Sequence, residues 1–161
     1  MPEAYVALGA NLGDPPRQIE RALSQIAGIP GVNLLRRSSL YRSAAIGPPG
    51  QPDYCNAVCA LETEIEPLQL LHALQAIETT AGRVRGEHWG PRVLDLDLLH
   101  VAGVVITTPE LTLPHPQMQV RNFVLIPLCE IAPSLVIGEF GAIREWATRV
   151  GSEGLTHWYE Y

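Results

Sequence analysis

Apolar residues alternate with polar ones along some stretches of the chain. Along others they recur every three or four positions. The two rhythms mark out strands and helices. Tyr5-Val6-Ala7-Leu8 reads as a short buried strand that runs into Gly9-Ala10-Asn11-Leu12-Gly13-Asp14. Asp14 is placed to cap a helix that opens on Pro15-Pro16, carries Ile19, Leu23 and Ile26 on one face, and stops near Gly28. Val32 to Arg42 has the mixed alternation of a strand. Tyr54 to Glu64 alternates with Cys55, Ala57, Cys59 and Leu61 on one face and Asn56, Val58 and Ala60 on the other. Pro67 opens a second helix that turns Leu70, Leu71, Leu74 and Ile77 to the core and closes at Gly82. Gln75 and Glu78, three apart, share another face of it, where solvated polarity is the default.

The strictest alternation is Leu94-Asp95-Leu96-Asp97-Leu98, which throws both aspartates to one side of a strand and the leucines to the other. Beyond it, Val101-Ala102-Gly103-Val104 reads as a hairpin turn into a strand from Val104 to Thr107, and Leu113-Pro114-His115-Pro116 as rigid and extended. Phe123 to Ile131 has the spacing of a short helix with Pro127 in its way, and Ala142 to Val150 reads as a last helix. The order β-α-β-β-α-β-β-α-α predicts an α+β fold with helices packed on a mostly antiparallel sheet.

Two connections stand out. Residues 43–53 form a long Gly- and Pro-rich loop, and residues 83–92 hold Arg83, Arg85, Trp89 and Arg92 just ahead of the acidic strand. An alternating Leu/Asp run also fits an ordinary half-buried strand with a solvated acidic face. However, aspartate is a poor strand former, and two on one face repel each other unless a cation lies between them. Paired carboxylates beside arginines and an aromatic suit a magnesium–nucleotide site.

Composition narrows this. The chain has 161 residues, 47% of them hydrophobic and 17% charged, which suits one folded domain spanning 1–161. Its net charge of −6 argues against a general binder of nucleic acid or anionic membrane. All eleven basic residues are arginine, so a Walker-type phosphate loop, which needs lysine, is excluded. Cys55, Cys59 and Cys129 read as thiols, the first two packed in the core. There is neither a signal segment nor an apolar run long enough to span a bilayer, which reads as a cytoplasmic protein.

Several ordered blocks together resemble the 6-hydroxymethyl-7,8-dihydropterin pyrophosphokinase family. They are Ala7-Leu8-Gly9-Ala10-Asn11-Leu12-Gly13, Gln51-Pro52-Asp53-Tyr54-Cys55-Asn56-Ala57, Gly82-Arg83-Val84-Arg85, Trp89 through Asp97, Pro114-His115-Pro116, and Arg121-Asn122-Phe123-Val124-Leu125. The resemblance covers nearly the whole chain and implies a ferredoxin-like fold. It also implies transfer of pyrophosphate from ATP, the co-substrate, to the pterin hydroxymethyl group, with AMP as the other product. By that resemblance Asp95 and Asp97 hold two Mg²⁺ ions, and Arg83 and Arg92 close on the triphosphate as catalytic cations. Gln75, Glu78, Arg85, Trp89, Leu98, Thr112, His115 and Arg121 join Arg92 around ATP. Ser43, Ala44, Ile46, Tyr54, Asn56, Trp89, Asp95 and Phe123 form the pterin site. The two long loops become lids, the protein acts as a monomer, and the product passes to dihydropteroate synthase in folate biosynthesis.

Gly86, Glu110 and Gln117 stand where relatives can carry basic residues, which implies weaker phosphate contact. Two other readings compete: a non-catalytic ferredoxin-like binding module, and a kinase that transfers only the γ-phosphoryl group. An RNA-binding module would carry exposed aromatics on a basic sheet, whereas here the best strand face is acidic.

Overall fold

The computed structural model describes residues 1–44, 50–82 and 94–159. Strand β1 (Glu3–Ala10) leads into helix α1 (Pro15–Ala27). The Asp14 carboxylate accepts the Arg17 backbone N–H at 3.3 Å, so the predicted cap forms, and Gly28 ends the helix. Strands β2 (Val32–Arg37), β3 (Tyr41–Ser43) and β4 (Tyr54–Thr63) follow, then α2 (Pro67–Thr80) and β5 (Asp95–Val101). Gly82, just past α2, adopts the left-handed conformation expected of a helix stop, with φ +101°.

The sheet is antiparallel throughout, in the order β10-β3-β4-β1-β5, where β10 is Leu155–His157; β2 lies along β4 beyond the end of β3. Both faces are covered. Ile19, Leu23 and Ile26 of α1 and Leu70, Leu74 and Ile77 of α2 pack on one face with Cys55, Ala57, Cys59 and Leu61 of β4. The other face, with Ala7, Val58 and Ala60, takes α3 (Asn122–Ile131) through Val124, Leu125 and Leu128, and α4 (Ile143–Val150) through Ile143 and Ala147. Burying each such Leu or Ile contributes about 1.5–3 kcal/mol. The alternation of β4 therefore sorts its side chains as expected, and Cys55 and Cys59 are buried free thiols.

Several expectations change. The run from Val32 to Arg42 is two strands, because the buried Ser38 hydroxyl accepts the Val58 N–H at 2.9 Å and replaces a ladder partner. Ser39 then turns outward, where the Glu130 carboxylate accepts its N–H and O–H at 2.9 Å each. Gly103 makes the expected turn, with φ +76°, yet β6 (Ile106–Thr107) pairs with β7 (Thr112–Leu113) and not with β5. The chain bends at Pro114 and turns at Pro116–Gln117, so this segment is not extended throughout. Residues Asn122–Ile131 form a helix despite Pro127, since burial of Val124, Leu125 and Leu128 outweighs the missing N–H. Two short strands, β8 (Val136–Ile137) and β9 (Gly141–Ala142), and the strand β10 have no forerunner in the sequence pattern.

Candidate functional site

The register of the sheet assembles the site. Asp97 lies opposite Ala7, Asp95 opposite Gly9, and Gly9 in turn opposite Asn56 of β4. Residues directly opposite in an antiparallel pair project to the same face. Tyr54, two before Asn56, shares that face, and Ser43 of β3 lies opposite Tyr54. One surface thus carries Asp97, Asp95, Asn56, Tyr54 and Ser43, all half-buried except Asn56, which is 4% exposed.

Gly9 forms the floor between the acidic pair and Asn56. A Cβ there would lie 3.7 Å from Asn56 Oδ1 and 3.7 Å from the Tyr54 ring, filling a space that the glycine leaves open. Asn56 Nδ2 donates to Ser43 Oγ at 2.8 Å, which turns its carbonyl oxygen toward that floor as an acceptor.

The acidic strand is held along its outer edge. The Glu78 carboxylate, 4% exposed, accepts the Leu96 N–H at 2.7 Å from a position on α2. This corrects the reading of Glu78 as solvated helix polarity: the β5 edge has an N–H that needs a partner. Further along, β5 bulges between its pairings Val6↔Leu98 and Tyr5↔His100, and the Leu99 carbonyl in the bulge accepts the His115 N–H at 2.8 Å. That bond brings His115 beside the strand.

His115 is poised as a neutral donor. Its Nδ1 accepts the Gln117 N–H at 3.1 Å, which leaves the proton on Nε2. Burial, reinforced by Arg121 and opposed by Asp95, pushes its pKa down to about 4. Arg121 Nη1 lies 3.9 Å from Asp97 Oδ2, and the Arg121 guanidinium sits 5.8 Å from the Phe123 ring centre. Both residues enter from the start of α3, over the same face as the aspartates.

Leu98 is buried in the core on the opposite face from Asp97, so any contact it makes with a nucleotide comes from its backbone. Gln75 is half-buried on α2, and Thr112 is half-buried on β7. Glu110 engages the α2 side chain His72 at 2.6 Å, so the acidic residue has a local partner. Ala44 is exposed beside Ser43. Ile46, Arg83, Arg85, Gly86, Trp89 and Arg92 lie outside the described residues.

The sequence reading assigned no role to Asn11. It is 1% exposed, and its Nδ2 donates to the Pro52 carbonyl at 3.1 Å, tying the end of β1 to the return of the 43–53 loop. Its place inside Gly9-Ala10-Asn11-Leu12-Gly13 was the available signal.

Among the described residues no three His, Cys, Asp or Glu side chains converge as a complete metal cage. Two carboxylates on one strand face nevertheless fit Mg²⁺, which binds through one or two carboxylates and fills its shell with phosphate oxygens and water.

Residues 5–133 match the family model described as 7,8-dihydro-6-hydroxymethylpterin-pyrophosphokinase (HPPK). The chain is 47% identical over 142 residues to a 2-amino-4-hydroxy-6-hydroxymethyldihydropteridine pyrophosphokinase of Haemophilus influenzae, covering 88% of this chain and 89% of that one. A protein of the same description from Pseudomonas aeruginosa is 45% identical over 151 residues, covering 94% and 93%. The fold matches a solved Plasmodium falciparum HPPK-DHPS with pteroate at a TM-score of 0.72 and 13% identity, over 92% of this chain and 42% of that longer one.

Proposed function

The chain belongs to the 7,8-dihydro-6-hydroxymethylpterin-pyrophosphokinase family, and from that premise we propose how its acidic sheet face carries the reaction. The protein is an ATP-dependent diphosphotransferase of folate biosynthesis that acts on 6-hydroxymethyl-7,8-dihydropterin. The pterin hydroxymethyl oxygen bonds to the β-phosphorus of ATP. The bond from that phosphorus to the oxygen bridging the α-phosphate breaks, AMP leaves with that oxygen, and the hydroxyl proton is released.

Tyr54, Asn56, Ser43 and Phe123 bind the pterin. Asn56 offers its carbonyl oxygen to the amide-like edge of the ring, and the aromatic side chains cover its faces. Ala44, Ile46 and Trp89 belong to the same pocket. Asp95 and Asp97 would hold two Mg²⁺ ions, which when bound neutralise phosphate charge. Arg121 and the His115 Nε2–H donate to phosphate oxygens, with Arg83, Arg85 and Arg92 as the closing cations. Gln75, Thr112 and the Leu98 backbone lie toward the nucleoside. Glu78 contributes by fixing the strand that carries both aspartates. The observation that supports this most is the row Asp95–Gly9–Asn56. It sets Asp95 and Asn56 two strand spacings apart, roughly 10 Å, with a glycine between.

The same reading takes 1–161 as one domain of ferredoxin-like topology, supported by β1-α1-β(2,3)-β4-α2-β5 and the order β3-β4-β1-β5. It places the enzyme in the cytoplasm as a monomer. Among the described residues no helix is long and apolar enough to cross a membrane. The joining of HPPK to DHPS in the solved Plasmodium chain supports onward passage of the product to dihydropteroate synthase. The test is incubation with ATP, Mg²⁺ and hydroxymethyldihydropterin. AMP and pterin pyrophosphate are the expected products, and ADP would make it a γ-phosphoryl kinase instead.

A further inference from the structure

Residues 153–158 touch both walls of the pocket just described. On one side, β10 pairs with β3, placing Leu155 opposite Ser43 and Thr156 opposite Arg42. The strand is extended by Trp158, whose N–H donates to the Leu40 carbonyl at 2.9 Å. The Trp158 ring lies 3.8 Å from the Arg42 guanidinium carbon, a cation–π contact. Arg42 in turn reaches across the neck of the 43–53 loop to Asp53, with Nη1 3.4 Å from Oδ2. On the other side, Asn122 Nδ2 donates to the Glu153 carbonyl at 2.8 Å. Asn122 directly precedes Phe123 at the start of α3. The segment is therefore fixed at one end to the helix that presents Phe123. Near its other end it is fixed to the strand and loop neck that present Ser43 and Tyr54.

We propose that residues 153–158 are a strap that sets the width of the pterin pocket, with Trp158 and Arg42 as positioning residues. The proposal rests on the assignment of Tyr54, Asn56 and Phe123 to pterin binding. A flat ring held between an aromatic and a strand surface is sensitive to wall spacing, because dispersion contacts fall steeply over an ångström. A partly exposed ion pair such as Arg42–Asp53 contributes little alone. Stacking by Trp158 restricts Arg42 to the conformation that bridges the neck. ATP, held by Asp95, Asp97 and Arg121 at the far side of Gly9, does not depend on this spacing.

The discriminating measurement is calorimetric affinity for hydroxymethylpterin and, separately, for an ATP analogue with Mg²⁺, using full-length protein. Trp158→Ala is expected to weaken pterin binding about tenfold, equivalent to about 1.4 kcal/mol, while nucleotide binding stays within about twofold on the same scale. Trp158→Phe, which keeps an aromatic face, is expected to recover most of the loss. If Trp158→Ala does not fold, Arg42→Gln tests the same link and is expected to show the same selectivity. Unchanged pterin affinity, or an equal loss for both ligands, overturns the strap. Asn56→Ala is the reference: if it leaves pterin affinity intact, the pocket assignment itself fails. If it abolishes binding while Trp158→Ala has no effect, only the strap fails.

Discussion

The carboxylate of Glu78 holds the backbone N–H of Leu96 at 2.7 Å, midway between the two aspartates of β5. Helix α2 thus grips the acidic strand between its two carboxylates and from the opposite face. Glu78→Ala leaves a buried N–H without its partner, at a cost of about 1–3 kcal/mol. In a chain of this size that corresponds to a fall in melting temperature of very roughly 2–12 °C. Glu78→Gln keeps an acceptor oxygen and is expected to retain more than half of that stability. Thermal unfolding of both variants decides the matter, and equal melting temperatures for Ala and wild type would show the bond to be inconsequential.

Asp95→Ala and Asp97→Ala are expected to reduce AMP formation by about 10³-fold or more, as loss of a metal-holding carboxylate removes several kcal/mol of charge stabilisation. Both proteins should remain folded, because the side chains are half-buried and removing one relieves repulsion between like charges. Product chromatography beside circular dichroism checks both halves. Near-normal turnover in either variant would sink the metal assignment.

Gly9→Ala places a methyl group on the floor between Asp95 and Asn56. The new contacts, at 3.7 Å, are ordinary for van der Waals neighbours, so the fold should be kept. The methyl group competes with substrate for the same space, and KM for the pterin should rise about 10–100-fold, the usual scale for one methylene in a pocket. Initial rates at varied pterin and saturating ATP provide the measurement. A changed KM for ATP with an unchanged one for pterin would relocate the pterin.

His115 supplies a pH prediction. Its pKa falls from an ordinary 6.5 to about 4 through burial and Arg121. Between those values the unfolded chain binds the proton that the folded one refuses, so stability rises with pH across this window. The contribution is complete above about 6.5, the ordinary histidine value, and protonation of the folded form also sets Nδ1–H against the Gln117 N–H. His115→Gln should therefore lose less stability than wild type when pH drops from 6.5 to 4. Ring-proton NMR of the nucleotide-free protein should show no His115 midpoint near 6.5, and one there would refute the neutral-donor role.

Much of this was written in the spacing of side chains. The alternation of Tyr54–Glu64 put Cys55, Ala57, Cys59 and Leu61 on one face and Val58 and Ala60 on the other, and that of Leu94–Leu98 put its leucines on the first, because period two leaves no choice once one face is apolar. The caps Asp14 and Gly28 marked α1 for the same local reason. Glu78 was illegible because its burial depends on an edge N–H supplied eighteen residues later by another element. The break at Ser38 was hidden because a hydroxyl took over a backbone bond. The strand Leu155–His157 was too short to show a rhythm, and only its partner β3 makes it a strand. For the site, residue types indicated carboxylate and aromatic chemistry. The adjacency of Asp95, Gly9 and Asn56 is a property of strand order, which no local pattern carries.

The sheet's two covered faces also bear on how this protein can change over time. Every side chain assigned to the substrates from β4 and β5 leaves from the face under α3, whereas α1 and α2 close over the other. Leu, Ile and Ala beneath α1 and α2 can drift among shapes of similar volume, losing or regaining firmness, with little consequence for the ligands opposite. Lineages could thereby adapt to heat or cold through one layer while the other keeps its chemistry, with Glu78, the Leu98 backbone and the Trp158–Arg42 contact among the points where the layers must evolve together.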